Sequence, residues 1–201
     1  MSPPRTATSR ASELKYEAIL DAALELFVEH GFHGTAVPAV AEHAKVGAGT
    51  IYRYFENKEA LVNALYQRWK GEISRRVLAD FPVTAAAREQ FHTFWTRLAA
   101  FVDQHPKAFA FLELHHHRSY LDDRSRAIES QLIGFAVSFI ANAQSQGQLV
   151  PGPPLLLMSL VYGAFTGLVR AHWEHDLQLT PENLALAEDR CWHAIATGDT
   201  L

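Results

Sequence analysis

The stretch from Val37 to Phe55 constrains the fold of this chain more than any other part of the sequence. Valines and alanines recur there at helical spacing, and a short break at residues 45–47 separates them from a second helical pattern of about two turns. The second pattern is polar over most of its circumference, so burial in a core cannot account for its side chains. We interpret the stretch as two short helices joined by a tight turn, the second facing a partner outside the chain.

Local signals define the ends and inner faces of both short helices. Pro38 places the start of the first short helix one or two residues before itself, because proline is tolerated only in the first turn of a helix. The hydroxyl of Thr35 is positioned to cap that helix. In the second helix, Ile51 and Phe55 lie four residues apart and point inward. Gly49 costs about 1 kcal/mol relative to alanine in a helix, but it lets another backbone approach closely.

The outer side chains of the second helix have the chemistry of a nucleic-acid contact. The side chains on the outer face of this helix, away from Ile51 and Phe55 or beside them, are those of Thr50, Tyr52, Arg53 and Tyr54. Hydroxyl and guanidinium groups donate hydrogen bonds to phosphates and base edges, and aromatic rings pack on sugars. The alternative is a helical hairpin whose tyrosines are simply exposed to water.

Longer helices are expected on both sides of this pair. The first begins at Ser12, and Gly31 ends it, because glycine accepts the left-handed conformation found after a helix end. Asn57 caps the next helix, where Lys58 opposes the helix dipole unless an anion lies nearby. The alternative for Lys58 is an ordinary exposed lysine. The apolar stripe of the first helix consists of Ile19, Ala22, Ala23, Leu26, Phe27 and His30.

Composition limits the class of protein but does not by itself support nucleic-acid binding. The net charge is −4, and residues 1–60 carry six basic and eight acidic side chains. The single cysteine, Cys191, excludes an internal disulfide and fits a reducing cytoplasm. We expect no signal peptide and no membrane span, since the longest apolar run, Leu155–Val169, is shorter than the roughly 20 residues needed. Residues 1–11 are expected to form a flexible tail.

The segment ILDAALELFVEHGFHGTAVPAVAEHAKVGAGTIYRYFENKEALVNALY resembles the N-terminal domain of TetR-type transcriptional regulators. The match covers residues 15–66, and the run GTIYRYFENKEAL from Gly49 to Leu61 is highly specific. The resemblance implies an all-α homodimer, with an N-terminal three-helix domain that contains a helix-turn-helix and a larger C-terminal domain for ligand binding and dimerisation. We therefore expect a DNA-binding domain at residues 12–56 and a ligand-binding and dimerisation domain at residues 57–201.

Matching this chain to the family pattern residue by residue implies a set of DNA contacts. Phosphate contacts fall on Thr35, Tyr52, Tyr54 and Lys58. Base edges are approached at Ala48, Gly49 and Thr50, with Arg53 beside them. The chain departs from the pattern at Ala36, Pro38, Lys45, Gly47 and Ala48, so that two or three of the usual polar contacts are missing. This departure predicts a modest affinity or a greater dependence on Arg53 and the tail.

The C-terminal part is expected to contain six helices and a dimer interface. The eighth helix of the chain, Leu155 to about His175, is apolar nearly all round, which predicts burial on more than one side. A symmetric patch on such a helix would form a homodimer; the alternative is a monomeric core helix. In the family, the last two long helices pair with their symmetry mates. The residues expected at that interface are Gly163, Gly167, Leu184, Cys191 and Ile195.

Aromatic residues of the C-terminal part predict a cavity for a small apolar or aromatic effector. Its expected lining is Trp69, Trp95, His115, Phe135 and Tyr162. His115–His117 also raises the alternative of a metal site, but consecutive helical residues point about 100° apart and cannot all bind one ion. No metal site and no cofactor are therefore expected, and no catalytic motif is recognisable, so we do not expect an enzyme.

These observations favour a cytoplasmic, ligand-responsive repressor that binds a palindromic DNA operator as a homodimer. The main alternative is a helical small-molecule or metal-binding protein with weak or lost DNA binding, which the acidic N-terminal region motivates. A helical enzyme is a third possibility that lacks a catalytic constellation. Salt-sensitive, sequence-selective binding to duplex DNA separates the first of these from the other two.

Overall fold

A computed structural model gives the fold, and it describes residues 7–114 and 119–198. In that part of the chain the secondary structure is helical, with no β-strand and one isolated antiparallel bridge between Leu149 and Ala196. The helices are α1 (Ala7–Gly34), α2 (Val37–His43), α3 (Ala48–Tyr54), α4 (Lys58–Leu78), α5 (Ala87–Gln104), α6 (Pro106–Leu114), α7 (Asp123–Ser145), α8 (Pro154–Glu174) and α9 (Pro181–Ile195). The all-α fold class is confirmed.

The chain forms two compact units that do not follow a single cut in the sequence. The first unit contains the described residues of Met1–Gly71 and His105–Ala127, and the second contains those of Glu72–Gln104 and Ile128–Leu201. Helix α6 therefore belongs to the same unit as α1, α2 and α3, where it packs on α1. The division at residues 56 and 57 expected from the resemblance stays a prediction.

Helix α1 is longer than expected, and it bends at its C-terminal end. It begins at Ala7 rather than Ser12, and Gly31 interrupts it with φ +68° and ψ 179°. The left-handed backbone predicted at Gly31 is thus present, and the helical turn after it carries Phe32. The expected apolar stripe fails at His30, which is exposed, whereas Ile19, Ala22, Ala23 and Phe27 are buried.

The start of α2 does not use the expected side-chain cap. Its N-cap is Ala36, without a side-chain hydrogen bond, and α2 begins at Val37 as Pro38 predicts. The Thr35 hydroxyl instead donates to two α1 carbonyl oxygens, at 3.0 Å from that of Leu26 and 2.8 Å from that of Gly31. The capping prediction for Thr35 was wrong, because its hydroxyl donates to carbonyl groups of α1 instead of accepting from an amide of α2.

The turn between α2 and α3 requires an unfavourable backbone conformation from a lysine. Lys45 has φ +55°, in the left-handed region that glycine adopts without steric cost. The turn closes through the Val46 amide, which donates to the Ala41 carbonyl oxygen at 2.9 Å. Ile51 and Phe55 then anchor α3 in the core, as predicted.

We expect Lys45→Gly to stabilise the protein by about 0.5–1 kcal/mol. Glycine removes the cost of the left-handed conformation, and its greater freedom in the unfolded chain offsets part of the gain. Urea denaturation of both variants measures the difference. Lys45→Ala is the matched control because it removes the same charge but keeps the strain, and an equal gain from alanine would contradict this explanation.

The rest of the first unit packs aromatic side chains and one buried ion pair around α1, α4 and α6. Phe27, Phe109 and Phe111 are fully buried, and the rings of Phe27 and Phe111 lie 6.3 Å apart. The Lys70 ammonium lies 2.9 Å from the Glu113 carboxylate, with both side chains largely buried. Pairing is required there, because either charge left alone in the core would be strongly destabilising.

The second unit is organised around a buried tryptophan of α5. Trp95 stacks on Phe91 at 6.1 Å and meets Phe165 of α8 edge to face at 5.1 Å. Glu188 of α9 is buried, and its carboxylate binds Arg88 and, at 2.9 Å, His92 of α5. Helix α5 begins at Ala87, after a segment at residues 81–86 that contains turns.

Helix α8 is buried along one side only in the single chain. Its buried residues are Leu157, Phe165 and Val169, which lie along one side. More than half of the Leu155, Leu156 and Leu160 side chains is exposed. The single chain therefore covers one side of α8, and burial on a second side, by a partner copy, stays a prediction. Among the described helices, α8 is the one long and apolar enough to span a membrane, which is weak evidence because core helices share those features.

Candidate nucleic-acid interface

Helix α3 presents an exposed face that begins at its N-terminal end. Gly47, Ala48, Gly49, Tyr52 and Arg53 are exposed, and Thr50 is half-buried. The aromatic ring of Tyr52 stands out, with 56% of the residue accessible to solvent. This arrangement leaves a guanidinium group, a phenol hydroxyl and a bare stretch of backbone on one short helix. A polyanion with hydrogen-bonding edges is the kind of ligand that such a surface can bind.

Gly49 has no structural reason inside the chain to be glycine. A Cβ atom at Gly49 would meet no other atom within 4 Å, and its φ lies outside the left-handed region. Alanine would be accommodated there and would favour the helix. A glycine at this exposed position leaves the backbone of α3 accessible to close approach from outside the chain.

Tyr54 is held within the protein rather than directed to solvent. Its hydroxyl donates to the Ser12 carbonyl oxygen at 3.0 Å and lies 2.8 Å from the Ser12 hydroxyl. The Tyr54 ring packs edge to face on Tyr16 at 5.8 Å, and Tyr16 stacks on Phe55 at 5.4 Å. Burial raises the pKa of the Tyr16 phenol. Tyr54 thus ties α3 to α1, and its predicted phosphate contact would have to share an occupied hydroxyl.

Lys58 binds the backbone that directly precedes the helix-turn-helix. Its ammonium donates to the carbonyl oxygens of Phe32 at 2.7 Å and Thr35 at 3.0 Å. It also lies 4.2 Å from the centroid of the Phe32 ring, within the range of a cation–π contact. An ammonium has three N–H groups, so one of them is left for an outside acceptor. Lys58 is half-buried, and neither the expected dipole conflict nor the exposed alternative describes it.

Thr35 has no free surface for the phosphate contact that the resemblance implies. The residue is 2% exposed, and its hydroxyl donates to carbonyl oxygens of α1. Asn57, in contrast, caps α4 as predicted, since its side-chain oxygen accepts from the Ala60 amide at 2.8 Å. In this conformation, the available side chains of the predicted set are those of Thr50, Tyr52 and Arg53, with the remaining N–H of Lys58.

Ion pairs between α1 and other helices of the same unit were not predicted. The Glu25 carboxylate of α1 binds the Lys107 ammonium of α6 at 2.6 Å and the His43 ring of α2 at 2.7 Å. The hydrogen bond from Lys107, followed by that from His43, lowers the pKa of Glu25. Arg68 of α4 binds Glu17 at 3.0 Å and Asp21 at 2.9 Å. No local pattern could reveal these pairs, because their partners are 18 to 82 residues apart.

The residues predicted for the effector cavity are divided between the two units. Trp69 belongs to the first unit, where its ring lies 5.1 Å from that of His105. Trp95, Phe135 and Tyr162 belong to the second, in which Phe135 meets Phe81 at 5.0 Å. The indole nitrogen of Trp95 is buried without a hydrogen-bond partner. His115 lies outside the described residues, so the cavity stays a prediction.

The residues predicted for the dimer interface differ in exposure. Gly163 and Gly167 are exposed, and a Cβ atom at either would meet nothing within 4 Å. Leu184 and Cys191 are half-buried, and burial raises the pKa of the Cys191 thiol. Ile195 is 1% exposed and belongs to the core of its own unit, which leaves no surface for a partner. Apolar side chains exposed on the same two helices, and missing from the prediction, are Leu155, Leu156, Leu160 and Leu186.

The metal alternative gains no support from the described part of the chain. His115–His117 lies outside it, and no group of three potential ligands is present elsewhere in the residues that the structure describes.

Comparison with known proteins places these features in a family. Residues 19–65 match the family described as bacterial regulatory proteins, tetR family, and residues 66–197 match the tetracyclin repressor-like C-terminal domain. The Fatty acid metabolism regulator protein of Bacillus subtilis (strain 168) is 40% identical over 76 residues, which is 38% of this chain and 39% of that relative.

Two further similarities extend over most of the chain. The HTH-type transcriptional regulator RutR of Escherichia coli (strain K12) is 31% identical over 163 residues, covering 78% of this chain and 74% of that one. The crystal structure of a putative tetR family transcription regulator from Shewanella sp. PV-4 aligns with 92% of this chain and 99% of its own, at 25% identity and a TM-score of 0.79. This family consists of transcription regulators rather than enzymes. The chain belongs to the tetR family of bacterial transcription regulators.

Proposed function

We propose that this regulator is a cytoplasmic repressor that binds a palindromic operator as a homodimer and is released by a small apolar or aromatic effector. The observation that carries the DNA-binding part is the exposed face of α3, where a Cβ atom added at Gly49 would meet nothing within 4 Å. On a duplex, the N-terminal end of α3 would lie in the major groove and its backbone would approach the base edges. Arg53 would read a base, and Tyr52 with Lys58 would bind phosphates.

The acidic balance of residues 1–60 does not argue against this proposal. Glu17 and Asp21 pair with Arg68, and Glu25 pairs with Lys107 and His43. The cations Arg68 and Lys107 both come from residues beyond position 60, so a charge count over the N-terminal region alone is misleading. These exposed pairs contribute little to stability, but they partly neutralise the carboxylates of α1. The repulsion that a DNA backbone would meet is reduced accordingly.

The dimer is supported by an apolar face on α8. Leu155, Leu156 and Leu160 are exposed on this helix, and Gly163 and Gly167 leave its backbone accessible. An exposed patch of this kind on a small protein is unfavourable in water unless another surface covers it. A second copy packed about a two-fold axis would cover it with the same residues. Two recognition helices would then reach successive major grooves, roughly 34–36 Å apart.

The effector is proposed to bind in the second unit. This unit is rich in aromatic side chains, and the buried indole N–H of Trp95 is a donor without a partner. A ligand acceptor beside that N–H would satisfy it, and apolar ligand surface would lie against the surrounding rings. The Bacillus subtilis relative carries fatty acid metabolism in its name, but it matches only 38% of this chain. Fatty acids therefore belong in an effector screen beside aromatic compounds, without priority.

We expect Arg53→Ala to relax sequence preference rather than to weaken binding uniformly. A bidentate contact between arginine and a base contributes about 1–3 kcal/mol of discrimination, so the preference for the operator over a substituted operator should fall about 5- to 150-fold. Titrations of both duplexes by fluorescence anisotropy measure this ratio. Tyr52→Phe is the matched control, because loss of a phosphate contact should weaken all duplexes about equally. Equal weakening of both duplexes by Arg53→Ala would refute base reading.

A helical ligand-binding protein that has lost DNA binding is the second candidate. The specific observation in its favour is that the N-cap residues of α2 and α3, Ala36 and Gly47, make no side-chain capping bond. Both helices thus lack polar groups at the ends that would face a phosphate backbone. The two candidates differ in the result at low salt, where any electrostatic binding to DNA is strongest. Absence of duplex binding under those conditions would favour the second candidate.

A further inference from the structure

The connection between α6 and α7 contains a tyrosine that contacts the end of α1, directly before the helix-turn-helix. The ring of Tyr120 stacks on that of Phe32, with centroids 3.9 Å apart and planes inclined by 21°. The Tyr120 hydroxyl lies 2.8 Å from the His33 ring nitrogen Nε2. Phe32 and His33 follow the left-handed Gly31, so the bend in α1 turns both side chains toward this connection. All of these residues belong to the first compact unit.

The same phenylalanine ring makes a cation–π contact with the Lys58 ammonium. Nζ of Lys58 lies 4.2 Å from the Phe32 centroid and donates to the carbonyl oxygens of Phe32 and Thr35. Thr35 directly precedes the N-cap of α2, so the position of Phe32 determines where the ammonium holds the start of the helix-turn-helix. A cation over an aromatic face is sensitive to the position of that face.

A buried hydrogen-bond network holds the connection itself in place. Asn63 of α4 is 5% exposed, and its amide donates to the Tyr120 carbonyl oxygen at 2.7 Å. Its side-chain oxygen accepts from the Asp122 amide at 2.8 Å and the Ser125 hydroxyl at 2.7 Å. Ser125 is fully buried, and its amide donates to the Asp122 carboxylate at 2.7 Å. A buried network with satisfied partners is rigid, so the backbone of Tyr120 is firmly placed.

We propose that Tyr120 is a positioning residue for DNA binding. Its ring holds Phe32, and through Phe32 it holds the Lys58 ammonium where the remaining N–H of Lys58 reaches a phosphate. This inference rests on the proposed function, because the phosphate contact of Lys58 is part of it. Tyr120 acts through Lys58 and does not touch DNA itself. The inference therefore requires that the effects of changing Tyr120 and Lys58 on operator affinity are not additive.

A double-mutant cycle on the full-length protein tests this dependence. Tyr120→Leu should weaken operator binding roughly fivefold, the magnitude of one lost aromatic contact. In the Lys58→Met background, Tyr120→Leu should change affinity less than about twofold, because the contact it supports is already absent. Tyr120→Phe keeps the ring and serves as the matched control, with affinity within about twofold of the natural protein. Additive losses, or no loss from Tyr120→Leu alone, would overturn the inference.

A second measurement needs no DNA and separates this inference from the proposed function. Hydrogen–deuterium exchange of the amides at residues 35–44 should become roughly fivefold faster in Tyr120→Leu, and it should be unchanged in Tyr120→Phe. Phe101→Leu, a buried substitution in the other unit, controls for a general loss of stability. Unchanged exchange at residues 35–44 in Tyr120→Leu would overturn the inference. Absence of duplex binding by the natural protein would overturn the proposed function, while the exchange result would still decide whether Tyr120 positions α2.

Discussion

Leu160→Glu is expected to convert the proposed homodimer to a monomer. Leu160 is 56% exposed on α8, so a glutamate at this position can be solvated in the single chain and should leave its fold intact. In the proposed dimer, a two-fold axis would bring two such carboxylates into one apolar interface, where their desolvation and repulsion are strongly unfavourable. Light scattering coupled to size-exclusion chromatography measures the mass directly.

Operator affinity should fall with the dimer, by about 100- to 10,000-fold. A monomer binds one half-site without the gain in effective concentration that a linked second recognition helix provides. Val83→Glu is the matched control, because Val83 is another exposed apolar residue of the second unit, 63% exposed, and lies outside α8 and α9. The control should remain dimeric and bind the operator. A dimer of unchanged mass in Leu160→Glu would show that this face of α8 is not the interface.

Gly49→Ala should stabilise the free protein and yet weaken its binding to DNA. The added methyl group meets nothing within 4 Å, and alanine is the better helix former by about 0.5–1 kcal/mol. On the operator, the same methyl group would fall between two closely approaching surfaces, where overpacking costs about 1–3 kcal/mol. The expected loss of affinity is about 5- to 150-fold. Urea denaturation and operator titration of the same preparation measure both effects.

Gly71→Ala separates the two effects of this substitution. Gly71 lies within α4 of the same unit, and a Cβ atom there would also meet nothing within 4 Å. Its replacement should give a similar gain in the free energy of unfolding, with operator affinity unchanged. If Gly49→Ala binds the operator as well as Gly71→Ala does, close approach of DNA cannot be the reason for the glycine.

The helices and their ends were predictable wherever a local signal sets them. Pro38 places the start of α2, and Asn57 caps α4 through its own side chain. Gly31 ends the regular part of α1 because its backbone is left-handed. Each of these effects depends on one residue and its immediate neighbours. A sequence pattern can therefore identify such features without knowledge of the fold.

Features that depend on distant partners could not be predicted in this way. Thr35 reads as a helix cap, but carbonyl groups of α1 bind its hydroxyl. Lys58 reads as a cation at an unfavourable helix end, but carbonyl groups and the Phe32 ring surround its ammonium. Both depend on how the bend at Gly31 turns the chain. The side-chain interactions of the candidate site therefore follow from tertiary structure that helical periodicity does not encode.

Exposure on the C-terminal helices was also only partly predictable. The apolar sequence of α8 predicts burial, but it cannot say whether the chain itself or a second copy covers the helix. Ile195 is among the residues expected at the dimer interface, yet it is buried within its own unit. A stripe at helical spacing identifies which residues share a face, and only the packing of neighbouring helices determines which of them remain exposed.

Selection of genomic fragments by the purified protein tests the central claim, sequence-specific binding as a dimer, most directly. The selected fragments are then titrated at two salt concentrations. We predict enrichment of one inverted repeat with half-sites about one helical turn apart, and an affinity that falls steeply as salt increases. No enrichment at low salt, with a folded protein, would contradict the account and favour a ligand-binding protein without DNA recognition.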